Sequence, residues 1–70
     1  MPVINISAWE GQGDEDARRL LTSVTDTVHE VTGVPRDKIL VIINEIRTSR
    51  WAQGGVRASE PDFLEKSRQF

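Results

Sequence analysis

No cysteine occurs in the 70 residues, so no disulfide can staple the fold. Histidine occurs once, at His29, which leaves no Cys/His cluster for a structural metal. Nor is there an excess of basic charge. Nine Lys and Arg stand against eleven Asp and Glu for a net charge of −2, without the basic stripe that nucleic-acid binding demands. No apolar run approaches the roughly 20 residues of a membrane-spanning helix. No charged leader followed by an apolar block opens the chain, so neither a membrane nor a secretory route is expected. The lack of cysteine fits a reducing compartment, and a cytoplasmic protein is expected.

What remains is small. A chain of this length buries only about 60% of the surface it exposes when unfolded, and unstapled scaffolds of that size rely on oligomerisation or on very regular packing. With 37% hydrophobic and 29% charged residues the composition is that of a globular protein. The expectation is one domain over residues 1–70, with a core over 1–59 and a tail over 60–70, in an obligate oligomer.

The chain opens Met1-Pro2-Val3-Ile4-Asn5-Ile6. Proline has no backbone N–H to give a sheet, so Pro2 is either the starter of an edge strand or, once Met1 is removed, a free secondary amine. The β-branched run to Trp9 predicts a strand, closed by the loop Glu10-Gly11-Gln12-Gly13. From Asp14 the apolar positions Ala17, Leu20, Leu21, Val24, Val28 and Val31 follow a helical spacing. Asp14, Glu15 and Asp16 suit the positive end of the helix dipole, and Gly33 followed by Pro35 supplies the stop. His29 lies off the apolar stripe and is expected to be solvated.

Lys38 to Ile46, "KILVIINEI", reads as a second, buried strand. A strand–helix–strand order with so long a crossover predicts a parallel, right-handed pair. The stretch after it, with Gly54-Gly55, predicts a loop and a small hairpin. In the tail, Phe63, Leu64 and Phe70 are expected to anchor onto a neighbouring chain. Two parallel strands under one helix leave a sheet face bare, which again calls for other copies.

Taken together, Pro2, Glu10-Gly11, the acidic helix start, "GVPRDKILVIINEI" and "W-x-x-G-G" at Trp51 to Gly55 resemble the 4-oxalocrotonate tautomerase family, in register over about residues 2–59. The resemblance implies an α/β fold, a β-α-β protomer with a small C-terminal hairpin that assembles as a hexamer, a trimer of dimers. It also implies a cofactor-independent keto–enol tautomerase with Pro2 as general base. A free α-amino group titrates near about 7.7–8.0, and an apolar pocket favours its neutral form, which suits proton shuttling near neutral pH.

The departures from the family's pattern bear on substrate. Best-known members carry two arginines that hold carboxylates; the matching positions here are Gln12 and Leu40, which cannot make bidentate guanidinium pairs. Lys38, sharing strand parity with Leu40, is the first candidate replacement, followed by Arg36, Arg47, Arg50 and Arg57 reaching from loops. Trp51 matches the ring that forms the family's hydrophobic wall, and Trp9 lies near a pocket-lining position. Trp51, Trp9, Leu40, Gln12 and Lys38 are therefore the expected substrate contacts, with a small-molecule enol or 2-keto acid as the partner rather than a dicarboxylate. Hydration or dehalogenation of unsaturated acids is disfavoured, because Gln53 stands where those relatives have a water-activating carboxylate. Loss of both arginines leaves a non-catalytic oligomeric binding or scaffold protein as the alternative.

Overall fold

A computed structural model describes residues 1–66. Strand β1 (Val3–Trp9) is followed by helix α1 (Asp14–Thr32), strand β2 (Leu40–Ile46), the short strands β3 (Ala52–Gln53) and β4 (Val56–Arg57), and helix α2 (Phe63–Lys66). β1 and β2 pair in parallel, Val3 beside Leu40 through to Trp9 beside Ile46. β3 and β4 form an antiparallel hairpin. No helix among the described residues is long and apolar enough to cross a membrane.

The helix follows its sequence signals closely. Gly33 takes φ 75° and donates its N–H to the His29 carbonyl at 2.8 Å, ending α1 one residue after Thr32. Gly13 offers no side-chain cap, so the acidic first turn is what compensates the free N–H groups. Ala17, Leu20, Leu21, Val24 and Val28 are half-buried, but Val31 is 79% exposed. The lengths of the two elements account for this. Nineteen helical residues span about 28 Å, whereas seven strand residues span about 23 Å, so the last turn overhangs the sheet.

Three expectations are corrected. Lys38 is not on the second strand: Pro35 opens a 3-10 turn over Arg36–Lys38, and the Lys38 N–H donates to the Pro35 carbonyl at 2.9 Å. With that N–H committed locally, the ladder begins at Leu40, whose N–H donates to the Pro2 carbonyl at 3.1 Å. His29 is half-buried rather than solvated, and its Nδ1–H donates to the Val34 carbonyl at 2.7 Å, tying the helix end to the next loop. Of the tail residues expected to anchor onto a neighbour, Phe63 instead packs on Trp51 of its own chain, while Leu64 is exposed and free to do so and Phe70 lies outside the described residues.

Ile4, Ile6 and Ala8 of β1 are half-buried on one face of the sheet, with Val41 and Ile43 of β2, which α1 covers. The other face is open: Val3 is 52%, Leu40 47% and Trp9 59% exposed. Among the described residues only Phe63 is buried. The radius of gyration is 16.1 Å, against about 11 Å for a compact chain of this length. A single copy thus has half a core.

Candidate active site

Pro2 heads β1, half-buried, with its carbonyl committed to the first rung of the ladder at Leu40. Leu40 lies beside Val3 and presents an alkyl surface at the same end of the sheet. Lys38 is exposed in the turn two residues before the strand, so its charge is near this end along the chain although it is not on the ladder. While Met1 is attached the Pro2 nitrogen is an amide without basicity. Its removal leaves a secondary amine whose ring fixes the direction of the lone pair.

At the other end the aromatic residues meet. The Trp9 and Trp51 rings stack with centroids 4.5 Å apart and planes 30° apart, and Phe63 meets Trp51 edge-on at 5.3 Å and 84°. Gly54 and Gly55, at φ 60° and 80°, make the tight turn that folds β4 back beside β3. The Ala58 N–H then donates to the Trp51 carbonyl and the Ser59 N–H to the Thr48 carbonyl, both at 3.1 Å. The Glu10 N–H reaches the Ile46 carbonyl at 3.2 Å, and the Glu10 carboxylate accepts from the Thr48 N–H at 3.4 Å. These bonds fix Trp51 relative to the end of β1. Gln12, half-buried, lies in the adjoining loop.

A surface cavity of about 340 Å³ is lined by Ser49, Arg50, Trp51, Ala52 and Arg57. The Trp51 Nε1–H is buried and, among the described residues, has no hydrogen-bond partner. α2 starts on an Asp62–Lys66 ion pair at 2.7 Å. The hydrogen bond from Lys66 holds the Asp62 carboxyl below its ordinary value, and its counterpart raises Lys66. No three His, Cys, Asp or Glu side chains among the described residues are grouped to hold a metal ion.

The expected contacts therefore fall into two groups. Pro2, Leu40 and Lys38 share one end of the sheet; Trp9, Trp51 and Gln12 share the other. Seven residue steps along β1 separate Pro2 from Trp9, roughly 23 Å, so a site uniting the two groups takes residues from two chains. Sequence reasoning missed Phe63 as a partner of Trp51, since nothing local marks a ring contact twelve residues away. The gathering of Arg50 and Arg57 around Trp51 had one signal: the Gly-Gly turn sets Ala52 opposite Arg57.

Comparison with known proteins adds an independent line. The sequence profile of the tautomerase enzyme family matches residues 2–60. A probable tautomerase of Staphylococcus epidermidis is 43% identical over 60 residues, covering 86% of this chain and 98% of the relative. The crystal structure of a 4-oxalocrotonate tautomerase homologue superposes with a TM-score of 0.83 at 33% identity, covering 86% of this chain and 95% of that one. A second homologue of 4-oxalocrotonate tautomerase, YwhB, gives 0.79 at 39% identity, covering 84% and 97%.

Proposed function

Because this chain belongs to the tautomerase family, we propose that it is a cofactor-independent keto–enol tautomerase whose general base is the amine of Pro2, freed by removal of Met1. The observation that supports this reading is the setting of Pro2: half-buried at the head of β1, with its carbonyl held by the Leu40 N–H at the first rung of the ladder. Such surroundings favour a neutral amine near neutral pH. The lone pair takes a proton from an enol hydroxyl, or from carbon next to a carbonyl. The prolinium so formed returns the proton at the other end of the conjugated system, and nothing is oxidised or lost.

The open sheet face supports a homo-oligomer, and the family's trimer of dimers, a homohexamer, is the assembly proposed. In it Trp51, Trp9 and Gln12 of one chain wall the site that Pro2, Leu40 and Lys38 of another begin. The substrate is a small enol or 2-keto acid rather than a dicarboxylate, since Gln12 and Leu40 offer no guanidinium. That same loss is what favours the second reading, a non-catalytic binding or scaffold protein.

The test is ketonisation of an aryl enolpyruvate, followed by ultraviolet absorbance, for wild type and Pro2→Ala after mass confirms that Met1 is gone. Pro2→Ala keeps an α-amine but loses the ring that aims its lone pair, and a loss of at least about 100-fold in rate is predicted. Equal rates, or a processed wild type no faster than buffer, would favour the scaffold.

A further inference from the structure

We propose that Ser49, Arg50 and Arg57 form a carboxylate-binding subsite on the ring of Trp51, and that it selects monocarboxylates with a flat apolar group. The carboxylate contact at Trp51 stands on the residues around the cavity; its preference for a single carboxylate and the identification of its ligand as a substrate rest on the tautomerase reading and its assembly.

The two guanidiniums come from different elements. Arg50 ends the 3-10 turn Thr48–Arg50, and Arg57 lies on β4 opposite Ala52. Arg50 and Arg57 both line the same open surface cavity of about 340 Å³, together with Ser49, Trp51 and Ala52, and none of the described residues lining it is acidic. Among the described residues Arg50 has no ion-pair partner, and Arg57 has only Glu60, its Nε 3.9 Å from Oε1. That distance is beyond a hydrogen bond, so this ion pair holds none of the Arg57 N–H groups in one. Each guanidinium offers five N–H groups in a planar fork that matches a carboxylate.

The ring beside them is held still. Trp9 stacks on Trp51 and Phe63 meets it edge-on, so a flat ligand group meets a fixed aromatic surface. Charge placement decides the ligand class. The positions matching the family's arginines carry an amide at Gln12 and an alkyl group at Leu40, whereas the cationic pair lies at Trp51. In the proposed assembly, where the aromatic end of one chain meets the Pro2 end of another, one clamp and one alkyl surface fit one carboxylate on an apolar body. Two carboxylates would leave the second unpaired against Leu40.

The probe is phenylacetate, which has the carboxylate and the ring but no ketone, titrated calorimetrically into the full chain. Binding is expected in wild type, weakening with added salt. Arg50→Gln and Arg57→Gln should each weaken it about tenfold, with Arg50→Lys and Arg57→Lys intermediate. Phenylacetamide, the neutral isostere, should bind weakly and ignore these substitutions. Circular dichroism melts and oligomer mass for each variant separate a lost clamp from a lost fold. In ketonisation of an aryl enolpyruvate, the same variants should raise KM more than they lower kcat.

No phenylacetate binding by wild type, or unchanged binding in Arg50→Gln/Arg57→Gln, would overturn the subsite. The two claims fail separately. If chains that retain Met1, whose Pro2 nitrogen is an amide, keep the ketonisation rate while the arginine variants lose phenylacetate, the base is wrong and the subsite stands. If Pro2→Ala is inactive and the arginine variants bind as wild type does, the reverse holds.

Discussion

Trp51 takes part in both aromatic pairs among the described residues. It lies under Trp9, against the edge of Phe63, and its carbonyl anchors Ala58. Aromatic pairs contribute roughly 0.5–1.5 kcal/mol each beyond their area, so two such contacts make truncation costly. The indole N–H, buried without a partner among the described residues, works the other way, since an unmet donor carries a desolvation penalty. Trp51→Phe, which keeps a ring and removes the N–H, should change stability by less than about 1 kcal/mol. Trp51→Ala should lose about 2–4 kcal/mol. Urea denaturation checks both, and equal losses for the two variants would show that ring stacking is not what holds this end of the sheet.

At the scale of elements, α2 is the part most exposed to pH. Its ion pair is between solvent-exposed groups and worth little by itself, yet it sets the first turn from which Phe63 reaches Trp51. Asp62 has its folded pKa lowered by the Lys66 hydrogen bond, so its contribution is present above the ordinary carboxylate value and lost as pH falls through the lowered one. Lys66 has its folded pKa raised by Asp62, so its contribution is present below the ordinary lysine value and lost as pH climbs through the raised one. Tryptophan fluorescence should therefore be flat between those limits and change only below the carboxylate range or above the lysine range. Lys66→Met should bring the acid change up toward the ordinary carboxylate value. An acid transition that does not move in Lys66→Met would place its cause elsewhere.

The elements also show what local sequence can and cannot reveal. α1 was legible to its last residue because its signals, the apolar spacing, the acidic start and Gly33, act within a few residues. The hairpin was legible for the same reason, through Gly54-Gly55. The start of β2 was not. Lys38 continues the aliphatic run's alternation, but Pro35 had already fixed a turn that uses its N–H. Phe63 was misread because a ring in a polar tail looks unattached until the fold brings Trp51 to it. Of the site, Pro2 and Leu40 could be placed together from the parallel order of the strands, whereas the distance between them and the tryptophans depends on the sheet's length.

At the scale of the whole molecule, the open sheet face is the main feature. A 45 × 25 × 15 Å chain with an open face of Val3, Leu40 and Trp9 exposes the kind of surface that a stable single copy does not leave bare. Stability should accordingly depend on protein concentration, with the mass in solution that of six chains and a melting temperature that falls on dilution. Val3→Glu, a charge on the open face away from α1, should shift the population to smaller species and lower that temperature. Sedimentation showing a monomer at micromolar concentration, with a melting temperature independent of dilution, would contradict the account.

The central claim is that a single amine does the chemistry, and the most direct test leaves every side chain unchanged. Chains that retain Met1 and chains that have lost it differ at the Pro2 nitrogen, amide in one and amine in the other. Preparations with a range of Met1 retention, quantified by intact mass, should show ketonisation activity in proportion to the processed fraction and close to the buffer rate when Met1 is fully retained. Equal activity from the fully Met1-retaining protein would show that the Pro2 amine is not the base.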